Sequence, residues 1–196
     1  MDKILKNSLF LPYGRQNIED DDIEAVVKVL KSDWLTQGPT IEAFEKAFAK
    51  KVNAKHVIAC TNGTAALHLT MLALGISNND VVVTTPITFV ASANCARFVG
   101  ANVKFSDIEP ETALMSPDKL IETIQNDTEK KIKAVIPVHF AGQPVDLKRI
   151  DEICGEHKIA VIDDCCHAVG GSFDVGNDQY TLGGNNYSLM SVFSLF

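Results

Sequence analysis

Short runs of β-branched residues alternate with helical periods along most of this 196-residue chain. The runs His56–Cys60, Val81–Thr84, Asn102–Phe105, Ile132–Val138, Ile159–Asp163 and Ser191–Ser194 are expected strands. Between most of them the spacing predicts helices, at Ala65–Leu74, Ala91–Phe98, Pro117–Gln125 and Asp146–His157. In the last of these, Leu147, Ile150 and Cys154 share an inner face, and Lys148, Arg149, Asp151 and Glu152 point outward. Alternation of this kind, with near-continuous apolar strands such as Ala134–Val138, predicts an α/β fold with a mainly parallel sheet and helices on both faces. Ahead of it, Ile23, Val26, Val27 and Leu30 fall on one helical face. Ile41, Phe44 and Phe48 form a second stripe, with Thr40 as a candidate N-cap. The polar, Gly-rich stretch Gly170–Asn186 reads as a loop or hairpin.

Composition removes several functional classes. Lysine and arginine number 18 against 25 acidic residues, a net charge of −7, so no basic stripe is present to bind nucleic acid. No apolar run reaches the roughly 18 residues that a membrane helix needs. Met1–Lys6 mixes charged and apolar residues and has no signal-peptide core. Cys60, Cys95, Cys154, Cys165 and Cys166 are an odd count at irregular spacing, which suits reduced thiols in a cytoplasmic protein.

Open parallel sheets bind ligands outside the carboxyl ends of their strands. There, Asn62-Gly63-Thr64 opens a helix, where a Gly, free amides and the helix dipole suit an anion; an N-cap plus tight turn is the alternative. No Gly-Lys-Ser/Thr follows Gly63, and no Gly-x-Gly-x-x-Gly follows a strand, which argues against a Walker loop and a nicotinamide-dependent oxidoreductase. Asp164 and His167 follow the strand at Ile159–Asp163. A buried carboxylate there would hold a heteroaromatic nitrogen protonated, as a pyridoxal phosphate ring requires. Phe89 is either core or a flat face for a planar ligand, and His139 and Gln143 are either loop residues or ligand contacts. Trp34, in the Gly/Pro-punctuated loop Ser32–Pro39, is expected to be exposed and suited to binding. Cys154, His157, Cys165, Cys166 and His167 include enough zinc ligands, but adjacent cysteines on an extended chain project in opposite directions. No metal site is expected, and Cys154 and Cys165 are expected to pack in the core.

The chain resembles the sugar-nucleotide aminotransferases, a pyridoxal-phosphate family. The stretches that carry the likeness are Leu11–Gln16, Ser32–Pro39, Thr61–Leu67, Thr85–Ala91, Pro137–Asp146, Val161–Gly170 and Ser191–Ser194, in family order. Within the family the likeness is greatest to the members of pseudaminic-acid biosynthesis that aminate C4 of a UDP-4-keto-6-deoxy amino sugar. The resemblance implies the large domain of the type I aspartate-aminotransferase fold. It implies that Gly63, Thr64 and Ser194 hold the cofactor phosphate, Phe89 stacks on the ring, Asp164 pairs with the ring nitrogen, and His167 lies near the ring hydroxyl. It further implies that Tyr13 and Asp33, Trp34, Leu35 and Thr36 contact the sugar nucleotide. An amino acid, glutamate by family habit, would donate the amine in a ping-pong reaction, and the enzyme would be a homodimer.

One departure stands beside the match. The family continues Ser-Val-Phe-Ser with Phe-His-x-x-Lys, whose lysine forms the Schiff base, whereas this sequence reads Ser194-Leu195-Phe196. Leu189 also stands where the family usually carries Asp. The expectation is an incomplete large domain over residues 1–196, with a segment 1–40 ahead of the βα core, no C-terminal small domain, and no transaminase activity of its own. A non-catalytic module that binds nucleotide sugar or dimerises is the alternative.

Overall fold

The computed structural model describes residues 16–195, which divide into two units at Glu42. In the first, α1 spans Asp20–Leu30. Its first turn carries Asp20, Asp21 and Asp22 at the positive end of the helix dipole, and Asp22 Oδ2 accepts the Glu19 N–H at 2.9 Å. Its apolar face is present as expected, yet Ile23, Val26, Val27 and Leu30 all stay exposed. α2, Pro39–Val52, crosses the division. It starts at Pro39, whose fixed φ suits a first helical position, so Thr40 sits inside the first turn and not at the cap.

The second unit is built on a five-stranded parallel sheet. Its strands are β1 (Val81–Thr84), β2 (Asn102–Phe105), β3 (Ile132–Ile136), β4 (Ala160–Asp164) and β7 (Met190–Val192), in the order β2-β1-β3-β4-β7. β5 (Ser172–Val175) and β6 (Asp178–Thr181) form a separate antiparallel hairpin within the Gly-rich stretch. α3 (Gly63–Ala73) and α4 (Ala91–Phe98) pack with one core cluster, and α5 (Pro117–Gln125) and α6 (Leu147–His157) with the other. α4 connects β1 outward to β2, whereas α5 and α6 connect strands in the opposite direction, so right-handed crossovers require the two sets on opposite faces. The order in which strands are added reverses between β1 and β3, which opens the crevice where such sheets bind ligands.

One expected strand is missing. Among the described residues His56–Cys60 pairs with no strand, and Ile58 is 83% exposed. Its β-branched composition favours extension, but a strand also needs a neighbour for its ladder, and the nearby backbone bond goes instead from Ala59 N–H to Glu45 Oε1 at 2.8 Å. α6 begins at Leu147 because Asp146 is the cap, accepting the Arg149 N–H. Among the described residues no helix is long and apolar enough to cross a membrane.

The buried thiols make stability pH-dependent. Burial pushes Cys95 and Cys154 from 9.0 up to about 12. Between those values the unfolded chain releases thiol protons that the folded chain keeps, so stability falls as pH rises, by at most about 1.4 kcal/mol per pH unit per thiol. Urea midpoints are expected to drop steadily above pH 9, and Cys154→Ala to flatten that slope. Equal slopes in the two proteins would contradict burial of this thiol.

Candidate active site

The alternation of β4 assigns its two acids to opposite faces. Ile162 packs with α3 and α4, Val161 and Cys165 with α5 and α6. Asp164, 4% exposed, therefore lies on the α3/α4 side, and Asp163 on the other. Asp164 Oδ2 accepts the Ser92 hydroxyl at 2.7 Å, and Oδ1 accepts the Cys166 N–H at 3.2 Å. With the Ser92 proton committed to Asp164, Thr88 Oγ1 donates to Ser92 Oγ at 2.7 Å. Two hydroxyls and an amide thus fix the carboxylate.

Facing the same side is the start of α3. Asn62 caps it, its side chain accepting the Ala65 N–H at 2.8 Å. The Gly63 and Thr64 amides lie in the first turn, where the helix offers no acceptor. A Cβ on Gly63 would stand 3.1 Å from Cys166 Sγ, 3.3 Å from Ser194 Cβ and 3.5 Å from Ser194 Oγ, so only glycine leaves this space open. Ser194 Oγ is buried and has no hydrogen-bond partner among the described residues. A buried hydroxyl left unpaired costs about 1–3 kcal/mol. Its position across from a helix N-terminus makes a cup of free amide and hydroxyl donors, which fits a phosphate.

Phe89, between Pro86 and α4, is 67% exposed, so it presents a free ring face and is not core. His167 is exposed as well; its Nδ1 accepts the Ala141 N–H at 3.4 Å, which places its own proton on Nε2. Gly63, Ser194 and Asp164 are brought together through Cys166, whose thiol borders the cup and whose amide binds the carboxylate. Asp33, Trp34, Leu35 and Thr36 belong to the first unit, all exposed, with Trp34 at 63%. Tyr13 lies outside the described residues. His139 is fully buried and Gln143 exposed.

Lys130, Lys131, Lys133, Lys148 and Lys158 lie elsewhere. Lys130 and Lys131 precede β3, Lys133 is its second residue, and Lys158 precedes β4, all at the starting edge of the sheet. Lys148 begins α6 on the rim side but reaches along the helix toward Glu152. Cys154 is buried while His157 is exposed, so the zinc set considered above is not assembled. A cavity of about 630 Å³ opens at the starting edge, between Asp127, Lys133 and His157, and holds none of the site residues.

The sequence does not single out Ser92 or Thr88, and it offers Cys166 only as a zinc ligand. The only trace of the first is a run of small residues opening α4, and its partner Asp164 lies 72 positions away.

Residues 16–194 match the model of the DegT/DnrJ/EryC1/StrS aminotransferase family. The chain belongs to this family. As a DegT/DnrJ/EryC1/StrS member it is 40% identical over 166 residues to the spore coat polysaccharide biosynthesis protein SpsC of Bacillus subtilis, covering 85% of this chain and 42% of SpsC. Spr1654 from Streptococcus pneumoniae in its PLP-form superposes with a TM-score of 0.85 at 26% identity, over 95% of this chain and 49% of that one. Helicobacter pylori PseC, an aminotransferase involved in the biosynthesis of pseudoaminic acid, gives 0.81 at 29% identity, over 94% and 47%. The parallel sheet with helices on both faces is thus the type I fold of these aminotransferases, as the sequence predicts. The chain spans less than half the length of these relatives.

Proposed function

We propose that these residues are part of a cofactor-binding large domain and hold pyridoxal 5'-phosphate at the carboxyl rim. They would serve the transfer of an amino group from glutamate to C4 of a UDP-4-keto-6-deoxy amino sugar. The observation that carries this is the unpaired Ser194 hydroxyl facing the N-terminus of α3 on the same side as Asp164. The phosphate would take the amides of Gly63 and Thr64 and the hydroxyls of Thr64 and Ser194. Asp164, held by Ser92 and the Cys166 amide, would accept the proton-bearing ring nitrogen. Phe89 would cover one ring face, and the Nε2–H of His167 would donate to the ring hydroxyl. When bound, the cofactor supplies an electron sink that lets the donor's α-proton leave and return.

PseC and SpsC, acting in pseudoaminic-acid and coat-polysaccharide synthesis, support a sugar substrate of a surface glycan. Tyr13 with Asp33, Trp34, Leu35 and Thr36 would contact the nucleotide sugar, in a cytoplasmic homodimer.

Pyridoxamine phosphate tests the reading, since it binds through the phosphate and ring without a covalent bond. Calorimetry on the chain is expected to show saturable binding, about 100-fold tighter than pyridoxamine, because the phosphate gains several charge-assisted hydrogen bonds. A UDP-amino sugar is expected to quench Trp34, the one tryptophan in the sequence. Equal binding of the two vitamers would refute the phosphate cup, and no quenching would refute the sugar contact.

A further inference from the structure

The second acid of β4 points away from this rim and is nonetheless highly organised. Asp163 is fully buried. Its Oδ2 lies 3.2 Å from Asn185 Nδ2, 2.9 Å from Ser188 Oγ and 3.3 Å from Ser191 Oγ. Asn185 Oδ1 in turn accepts the N–H groups of Tyr187 and Ser188, winding the segment 185–188 around one amide. The remaining oxygen, Oδ1, faces His139 Nε2 at 3.7 Å, and His139 is also fully buried. His139 Nδ1 accepts the Val145 N–H at 3.1 Å, and the His139 backbone N–H donates to the Asp164 carbonyl at 3.1 Å. His139 therefore carries its proton on Nε2, directed at Asp163.

That tautomer decides between two uses of the cluster. His139, Asp163 and Cys165 place their ligand atoms within 4.8 Å of one another, a donor set suited to zinc. A metal on Nε2 would require the proton on Nδ1, where the Val145 N–H already points. The Val145 N–H on Nδ1 therefore opposes a metal on Nε2, and Nε2 and Asp163 Oδ1 face each other at 3.7 Å, beyond hydrogen-bond reach, neither with another partner among the described residues.

We infer that His139 and Asp163 are positioning residues that hold the loop Asn185–Ser191 and, through β7, seat Ser194 opposite Gly63. Asp163 pairs in register with Ser191, three positions before Ser194 on the strand that enters the cup. A buried carboxylate with several donors fixes a single arrangement where apolar packing would allow several. The importance of this for phosphate binding rests on the cofactor reading above; the ordering of the loop does not.

The test uses Asp163→Asn together with a milder Ser188→Ala, Ser191→Ala double variant, whose sites are only half-buried. In both, amide hydrogen exchange is expected to quicken over residues 185–194 and to stay at wild-type rates in α3 and α4. The preference for pyridoxamine phosphate over pyridoxamine is expected to fall about tenfold, the equivalent of one hydrogen bond, with pyridoxamine binding unchanged. Exchange that rises throughout the unit, or a vitamer preference that stays at the wild-type value, overturns the inference. A wild-type chain with no vitamer preference sinks the cofactor reading instead, and faster exchange confined to 185–194 then still supports the hub.

Discussion

Asp164→Ala is expected to weaken pyridoxamine phosphate binding by about 10- to 100-fold, the range for losing a charge-assisted hydrogen bond at a buried site. The change acts twice. It removes the carboxylate that would face the ring nitrogen, and it strands the Ser92 hydroxyl and the Cys166 N–H that now point at it. Asp164→Asn separates the two effects, because the amide oxygen still accepts from Ser92 while the charge is gone. If charge is what the ring nitrogen needs, Asp164→Asn loses nearly as much affinity as alanine, measured by calorimetry. Ser92→Ala, which frees the carboxylate without removing it, is expected to cost less than either. An Asp164→Asn variant with wild-type affinity would show that the acid is structural.

Gly184→Ala is the substitution expected to cost most in stability. A Cβ there would run into the carbonyl of Val52 and the backbone of Asn53, where the loop before β7 meets the end of α2. Neither neighbour is the mobile tip of a side chain. Its partner Gly183 is also constrained, with φ of +91° and the ring of Phe193 2.7 Å from a Cβ. Phe193 itself packs edge-on to Phe48 of α2, with ring centroids 5.2 Å apart. Overpacking against such a backbone costs about 3 kcal/mol. For a unit of this size that lowers Tm by about 6–12 °C in a thermal melt. Melting together with the wild type would mean that the loop does not rest on α2.

Local signals made much of the fold legible. β1, β2, α4 and α5 fall on their expected residues, because apolar runs and helical periods there agree with the tertiary environment. His56–Cys60 shows the limit: its residues favour a strand, but pairing depends on a neighbour that no local pattern reveals. The family motifs placed Gly63, Asp164 and Ser194 at one rim, and the structure adds why they meet. Period-2 alternation puts Asp164 and Ser194 on the face of α3 and sends Asp163 to the opposite side, although the sequence shows the two acids side by side. Ser92 and the His139–Asp163 couple were hidden for a different reason. Their partners lie far along the chain, and a hydroxyl or an imidazole in isolation gives no sign of what it will bind. The sequence leaves Phe89 open between core and ligand face, and its exposure removes the core alternative.

The most direct measurement is the ¹⁵N spectrum of ring-labelled pyridoxamine phosphate bound to this chain. It is taken above the pH at which the free ring loses its proton. If Asp164 faces the ring nitrogen, the bound signal stays at the pyridinium position and moves to the free-base position in Asp164→Ala. A bound ring nitrogen that titrates as it does in free solution would contradict the cradle.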